Sequence, residues 1–193
     1  MINYKFYNQE IDGDNIFTDC SRFENKVGCA FVHFRDGIEV ESRKIRLRDG
    51  AVVFIAEVVA IKEVVEYIRE KNMGIVRVIS DSRSALMALD SPTENRKIIN
   101  SIKERIKGNI VLYWVKANQG IRGNEQADTL ARELKRHKGI EYFFSKSCLQ
   151  IRNKGKLKIL KTWQERWESS KNGKWTRRFF VKVNFNKVLR NVL

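Results

Sequence analysis

The stretch that decides the fold is residues 15–50, NIFTDCSRFENKVGCAFVHFRDGIEVESRKIRLRDG. It begins with a short apolar strand, IFTD, and continues with two segments in which polar and apolar residues alternate, each ending in Asp-Gly. Alternation with a period of two is typical of a half-buried strand, and Asp-Gly is a strong signal for a tight turn. Three neighbouring strands joined by short turns predict an antiparallel meander.

Helices and strands alternate beyond residue 50. Ile61, Val64 and Ile68 recur at helical spacing within residues 54–72, which predicts a long helix. Two further strands are predicted at GIVRVISD and NIVLYWVKAN, and three further helices at SRSALMALDS, ENRKIINSIKERIKG and GNEQADTLARELKRH. The chain is therefore predicted to have an α/β fold, a mixed five-stranded sheet with three antiparallel and two parallel strands, flanked by helices.

Charge divides the chain into two parts. The whole chain has a net charge of +15, which is typical of a protein that binds a polyanion. Residues 139–193 contain 14 Lys and Arg against 3 Asp and Glu, whereas residues 1–138 contain 24 against 20. We expect a charge-balanced domain over residues 1–138 and a basic C-terminal extension over residues 139–193. Nucleic acid is the leading candidate partner, and an anionic membrane surface is the weaker one.

Several classes of protein are disfavoured by the sequence. No run of eighteen apolar residues predicts a membrane-spanning helix, and the first fifteen residues are too polar for a secretory signal. The three cysteines, Cys20, Cys29 and Cys148, fit no zinc-binding spacing. We expect an intracellular protein, cytoplasmic or nuclear, with no membrane partner.

Four carboxylates lie where the predicted local structure does not favour them. Asp19 ends the first predicted strand and Asp81 ends the fourth, and ligands gather at the carboxyl ends of parallel strands. Glu57 belongs to the apolar stripe of its helix and is expected to point toward the sheet. Asp128 lies early in the last helix, beside its apolar stripe. A buried carboxylate must be protonated, paired with a cation or bound to a metal.

Each acid alone has an ordinary interpretation. An aspartate after a strand is most often a turn or cap residue, and Glu57 could pair with a buried arginine. The convergence of three elements on one edge of the sheet favours a metal site instead. Oxygen ligands without a Cys or His cluster suit Mg²⁺ or Mn²⁺. In a basic protein, such a cluster indicates metal-assisted phosphodiester hydrolysis.

Four segments carry a resemblance to a known family. In order they resemble the four sequence blocks of type I ribonuclease H, across roughly residues 14–137; they are IFTDCS, AEVVAI, VISDSRSAL and WVKANQGIRGNEQADTLA. The resemblance implies the ribonuclease H fold and hydrolysis of the RNA strand in RNA–DNA hybrids. It implies catalytic and metal-binding roles for the same four acids, Asp19, Glu57, Asp81 and Asp128. Two Mg²⁺ ions are expected, one held by Asp19 and Glu57 and the other by Asp81 and Asp128, with Mn²⁺ as a substitute.

Two positions depart from the family pattern. Cys20 stands where a glycine usually follows the first aspartate, and Asn118 stands where the family usually has a histidine. Asparagine can form a hydrogen bond but cannot transfer a proton, so slower turnover is expected rather than inactivity. The residues expected to contact substrate lie beside the four acids; they are Cys20, Ser21, Ser82, Arg83, Asn118, Asn124 and Glu125.

Within the family, this sequence most resembles the ribonuclease H domain of a non-LTR retrotransposon reverse transcriptase. TWQERWESSKNGKWTRRFF, in the basic extension, is similar to the segment located after that domain in such polyproteins. Two interpretations of the extension stay open. Its tryptophans, Trp163, Trp167 and Trp175, either dock onto the nuclease domain or a neighbouring polyprotein domain, or help its cations to bind the hybrid.

Three functions compete at this point. The leading one is an active hybrid-specific endoribonuclease. The alternative is a catalytically impaired module of the same fold that only binds RNA–DNA hybrids, which Asn118 favours and the four retained acids oppose. A transposase or integrase of the same superfamily would place its glutamate after the second aspartate, whereas Glu57 lies between Asp19 and Asp81.

Overall fold

The computed structural model describes residues 3–8, 12–134, 139–143 and 148–183. The chain forms two compact units, Met1–Phe144 and Ser145–Leu193. The predicted boundary between residues 138 and 139 adjoins residues 135–138, which lie outside the described residues, and it stays a prediction. In the first unit, the backbone N–H groups of Glu141 and Tyr142 donate to the carbonyl oxygen of Arg46 at 2.8 and 3.1 Å.

The first unit contains six strands and four helices among its described residues. They follow one another as β1 (Tyr4–Phe6), β2 (Asp14–Phe23), β3 (Lys26–Arg35), β4 (Ile38–Leu47), α1 (Val53–Glu70), β5 (Val76–Ser80), α2 (Arg83–Asp90), α3 (Lys97–Arg105), β6 (Ile110–Trp114) and α4 (Arg122–Glu133). The second unit contains α5 (Cys148–Ser169) and α6 (Lys174–Phe179). None of the helices in these described ranges is both long and apolar enough to span a bilayer.

The strands form one mixed sheet in the order β1-β6-β5-β2-β3-β4. The predicted meander is confirmed, because β2, β3 and β4 pair antiparallel in sequence order. The two predicted parallel strands are confirmed as β5 and β6. The sheet has six strands rather than five, since β1 also pairs parallel to β6. That strand has three residues and is largely exposed, so it lacks the apolar alternation by which a strand is recognised.

The turn between β3 and β4 has the backbone that its Asp-Gly sequence predicts. Asp36 and Gly37 have φ angles of 51° and 76°, so both central residues are left-handed, as a type I′ turn requires. The Asp36 side chain also accepts a hydrogen bond from the backbone N–H of Gly13 at 2.7 Å. This bond ties the turn to the start of β2.

Helices cover both faces of the sheet. One face carries the larger core, built from α1, α2 and α3 and from side chains such as Ile16 and Phe31. The opposite face carries α4 over a smaller core that includes Phe17 and Phe34. Gly123 of α4 lies so close to the ring of Phe17 that a Cβ atom has no room there. This close approach fixes where α4, and the side chains it carries, lie over β2.

Candidate active site

Two acids follow the last paired residues of two neighbouring parallel strands. The parallel pairing of β2 with β5 ends at Thr18 and Ser80, and Asp19 and Asp81 come next in the chain. Asp19 does not end its strand as the sequence predicts, because β2 continues to Phe23 through its antiparallel pairing with β3. The two acids are still close together, as predicted, because the parallel pairing of β2 with β5 ends just before them. The continuation of β2 beyond Asp19 does not change this.

The third acid comes from α1. Glu57 is 5% exposed and shares its buried face with Ile61, Val64 and Ile68, as the spacing predicts. Each of Asp19, Glu57 and Asp81 offers a carboxylate oxygen within 4.8 Å of those of the other two. We call these three residues the acidic triad. The predicted convergence of the first three acids is thus present in the structure.

Crowding and burial change the protonation of the acidic triad. Burial, followed by the charge of Asp81, raises the pKa of Asp19 to about 7, although the Cys20 backbone N–H donates to its Oδ1 at 2.6 Å and opposes the rise. Burial and the charges of Asp81 and Asp19 raise the pKa of Glu57 well above its ordinary value. Burial and the charge of Asp128 raise the pKa of Asp81. Three buried carboxylates this close together are stabilised when they bind protons or a cation.

Cys20 lies beside the acidic triad on β2, directly opposite Cys29 of β3. It is half-buried and Cys29 is buried. The Cys20 thiol forms a hydrogen bond with Glu57 that lowers the pKa of this carboxyl against the stronger effect of burial. Burial, the Cys29 thiol and the charge of Glu57 raise the pKa of Cys20. A side chain larger than hydrogen therefore fits at this position and contacts a member of the acidic triad.

Asp128 lies outside the acidic triad but lines the same cleft. The cleft has a volume of about 180 Å³, and its lining residues are Asp19, Asp81, Ala117, Asn118, Asn124, Glu125, Asp128 and Arg132. The two oxygens of Asp128 accept hydrogen bonds from the Arg132 guanidinium at 2.8 and 2.6 Å. Arg132 was not predicted from the sequence, although its position four residues after Asp128 on a helix is the spacing of a helical ion pair.

Three of the predicted substrate-contacting residues line this cleft. Asn118 is exposed at the mouth and adopts a left-handed backbone with φ of 56°. Asn124 is 6% exposed, and its buried Oδ1 has no hydrogen-bond partner among the described residues. Glu125 is exposed in the first turn of α4. A buried amide oxygen without a partner is uncommon in a folded protein, and this feature distinguishes Asn124 from the other residues that line the cleft.

The other predicted contact residues lie at the edge of this cleft or outside it. Ser21 lies beside Leu134 and Arg46 in a separate small cavity. The Ser82 hydroxyl lies 3.4 Å from that of Ser84. Arg83 is exposed, with its guanidinium carbon 5.7 Å from the centre of a Trp114 ring.

Trp114 supports the site in a way that the sequence did not indicate. Its indole N–H donates to the backbone oxygen of Asp81 at 3.0 Å. This bond fixes the backbone that carries the third acid of the triad.

A mixed sheet with three carboxylates gathered beside the end of its parallel pairing has the arrangement of a metal-dependent nuclease. The chain belongs to the RNase H family, which it matches over residues 13–136, more than half of its length. It is therefore a ribonuclease H enzyme, as the four sequence blocks predict.

Among solved structures, RNase H1 from the halophilic archaeon Halobacterium salinarum NRC-1 is similar to this chain. The TM-score is 0.51 at 16% sequence identity, and the match covers 62% of this chain and 95% of that one. At this identity the likeness supports the fold alone, and it confirms the predicted ribonuclease H fold. No curated protein sequence matches the chain.

Proposed function

We propose that this enzyme hydrolyses the RNA strand of RNA–DNA hybrids with two divalent cations, Mg²⁺ or, as a substitute, Mn²⁺. The observation that carries the proposal is the approach of Asp19, Glu57 and Asp81 to within 4.8 Å, with the pKa of each carboxyl raised. Three acids brought together at this cost in free energy indicate a site built for positive charge.

The donor set fits a hard divalent cation. All three groups are carboxylates, and oxygen ligands are those that Mg²⁺ and Mn²⁺ prefer. One oxygen of Glu57, Oε2, is buried and has no hydrogen-bond partner among the described residues. A buried acceptor of this kind costs free energy unless a cation or a proton binds it.

Asp19 and Glu57 would hold one cation, and Asp81 and Asp128 the other. Asp128 becomes available only when its carboxylate leaves Arg132, which the 60% exposed Arg132 side chain permits. When bound, the cations supply an activated water and stabilise the leaving 3′ oxygen. The products would carry 5′-phosphate and 3′-hydroxyl ends.

Substrate would be recognised through the sugar–phosphate backbone of the RNA strand. A protein distinguishes RNA from DNA by its 2′-hydroxyls, which lie in the wide minor groove. The amide of Asn124 and the carboxylate of Glu125 would accept from these hydroxyls, with Asn118 at the cleft mouth. Cys20 and Ser21 would contribute backbone groups, and Ser82 and Arg83 would contact a phosphate next to Asp81.

We also propose that the chain works as part of a retroelement reverse transcriptase inside the cell, in the cytoplasm or nucleus. The support is the resemblance of GNEQADTLA and of residues 162–180 to the corresponding part of non-LTR polyproteins. Reading the genomic sequence around the coding region tests this. A polymerase reading frame upstream and continuous with this one is expected, and an isolated gene with its own promoter would contradict it.

The catalytic proposal is tested by cleavage of labelled RNA–DNA hybrid, double-stranded RNA and double-stranded DNA, with Mg²⁺ or Mn²⁺. Hybrid alone should be cut, and Asp19→Asn should lower the rate at least about 10³-fold, the loss typical when a group acting on the transition state is removed. Asp12→Asn, which makes the same charge change at an exposed residue before β2, should cut normally. Wild-type protein that binds hybrid without cutting it would instead support the binding-module alternative.

A further inference from the structure

The second unit has internal packing of its own. Leu160, Trp163 and Trp167 share one half-buried face of α5, as their spacing predicts. The Trp167 indole N–H donates to the carbonyl oxygen of Phe180 at 2.9 Å. The Gln164 amide donates to the carbonyl oxygen of Val181 at 2.9 Å and its oxygen accepts from the N–H of Val183 at 2.8 Å. These bonds hold residues 180–183 against the C-terminal half of α5.

The end of α5 is stabilised in the same way. Arg177 of α6 donates to the carbonyl oxygens of Trp167, Glu168 and Ser170, which are the acceptors that a helix leaves unsatisfied at its C-terminus. The segment after α5 is thus held in a defined conformation. Its outward side chains are presented from a fixed backbone.

Aromatic side chains point outward from that segment. Trp175 is 72% exposed and Phe179, one helical turn later, is 75% exposed. The guanidinium carbon of Arg178 lies 4.8 Å from the centre of a Trp175 ring. We call Trp175, Arg178 and Phe179 the α6 patch. Trp175 therefore differs from Trp163 and Trp167, because it is exposed and stacked with a cation rather than half-buried along α5.

The charge around the α6 patch selects the class of partner. Residues 148–183 contain 11 Lys and Arg and only 2 Asp and Glu. The two acids, Glu165 and Glu168, both lie on α5, and α6 itself carries none. Lys171, Lys174 and Lys182 are exposed on either side of the patch. A surface of this charge complements the phosphates of nucleic acid.

We propose that the α6 patch binds single-stranded nucleic acid, with bases stacked on Trp175 and Phe179 and phosphates on the surrounding cations. Aromatic rings can stack only on bases that are not already stacked and paired in a duplex. This selects a single strand over the hybrid itself. The proposal goes beyond hybrid hydrolysis and does not rest on it, because the patch belongs to the second unit and uses none of the acidic triad.

The test is the binding of the full chain, without divalent cations, to a fluorescent oligo(dT) of about 20 nucleotides, long enough for a stacking site. Trp175→Ala should weaken binding about tenfold, the loss expected for one stacked base, and Trp175→Phe should restore most of it. Leu157→Ala, which removes an apolar side chain 67% exposed on α5, should leave affinity unchanged. Phe179→Ala is the second variant, used if Trp175→Ala changes the circular dichroism spectrum.

Heparin and lipid vesicles distinguish stacking from other causes. Heparin has negative charge but no bases, so Trp175→Ala should bind it as the wild type does. Equal losses for heparin and oligo(dT) would overturn the proposal, since the substitution would then act through charge or folding. Unchanged oligo(dT) affinity would overturn it as well. So would a loss of binding confined to vesicles containing phosphatidylserine, because the patch would then be a membrane contact.

Discussion

We call the two buried acids Asp19 and Glu57 the inner end of the site, and the more exposed Asp128 its outer end. The two ends differ in how their charge is balanced. The two inner side chains are 7% and 5% exposed, and no arginine or lysine forms an ion pair with them among the described residues. The Asp128 side chain is 27% exposed and forms two hydrogen bonds with Arg132. Both ends carry the same chemical group. Among the described residues no cation is ion-paired with the inner end, and the more distant charge of Arg132 only partly opposes the raised pKa of Asp19. The outer end has its ion-paired cation on its own helix.

This difference identifies the acids that would gain most from a bound cation. Burial, followed by the charge of Asp81, raises the pKa of both Asp19 and Glu57, so the folded chain without metal holds these groups at a cost in free energy. The Asp128–Arg132 pair is partly exposed, and such pairs contribute little to stability either way. In the proposed mechanism, Asp19 and Glu57 would hold a cation without giving up an ion pair, whereas Asp128 would first have to release Arg132.

Glu57→Gln separates catalysis from stability at the inner end and has the largest expected effect. Hybrid cleavage should fall at least about 10³-fold, because a ligand to the proposed cation is lost. The metal-free protein at pH 8 should melt higher, by about 5 °C, because folding no longer has to bury a charge or bind a proton at this position. Thermal unfolding in EDTA and a cleavage assay measure the two effects.

Glu63→Gln is the matched control for that variant. It makes the same change on the same helix, at a half-buried side chain that lies near Lys62 rather than in the cleft. It should leave cleavage and melting temperature close to those of the wild type. If Glu57→Gln lost activity and also melted lower in EDTA, Glu57 would be a structural residue, and the contrast between inner and outer acids would disappear.

The pH dependence of stability tests the same contrast without mutation. An acid whose pKa is higher in the folded than in the unfolded chain binds more protons when folded, so its contribution to stability is present at low pH and lost as pH rises. For Asp19 this window runs from near 3.8, its ordinary pKa, to about 7. In EDTA, the free energy of unfolding should therefore fall by a few kcal/mol between pH 5 and pH 8.

Mg²⁺ should reverse this loss near pH 8 and have little effect near pH 5, where the proton already neutralises Asp19. Urea unfolding with EDTA or Mg²⁺ at the two pH values measures the difference. Comparing the two conditions at each pH cancels the contributions of carboxylates elsewhere, such as Glu94, whose pKa is lowered to about 2 by Arg96. Equal stabilisation by Mg²⁺ at both pH values would contradict the assignment of the cost to the inner acids.

Asp128→Asn is expected to have an intermediate effect at the outer end. Cleavage should fall about 10- to 100-fold, less than for Glu57→Gln, because Asp128 must release Arg132 before it can hold the proposed second cation and its net contribution is therefore smaller. Stability in EDTA should change by less than about 1 kcal/mol, because only a partly exposed ion pair is lost. The control is Glu133→Gln, a change on the same helix as Asp128 that breaks the surface ion pair between Glu133 and Lys44 of β4. A loss of cleavage activity as large as that of Glu57→Gln would mean that Asp128 contributes as much to catalysis as the acidic triad does.

The inner end of the site could be predicted from the sequence because its signals are periodic. Glu57 falls in the apolar stripe of α1, and Asp19 and Asp81 follow apolar strands, so secondary structure alone brings them together. The parallel pairing, the meander and α4 were predictable for the same reason. The exact end of β2 was not, since its last residues are held only by β3 and lack a continuous apolar pattern.

The outer end depends on contacts that no local pattern encodes. The pairing of Arg132 with Asp128 competes with solvent and with every other acid nearby, so helical spacing permits it without requiring it. The indole of Trp114 reaches the Asp81 backbone across the end of the sheet. Strand β1 is too short for a periodic signal and exists because β6 offers it a free edge. The Trp114 contact and strand β1 arise from tertiary packing rather than from sequence spacing, whereas the Asp128–Arg132 pair is one of several contacts that the helical spacing allows.

Asn118→His has the smallest expected effect. It tests whether the outer end is the part of the site where a substitution can raise the rate. Asn118 lies at the cleft mouth with a left-handed φ of 56°, a conformation that both asparagine and histidine tolerate better than most residues. A histidine there can transfer a proton, which asparagine cannot, so turnover should rise about threefold to tenfold, less than a fully placed acid–base group supplies. Asn118→Gln keeps an amide and controls for side-chain size. A higher kcat for His but not for Gln, with a new pH dependence between pH 6 and 7, is the expected outcome. Equal gains for both variants would mean that size at the cleft mouth, and not proton transfer, limits the rate.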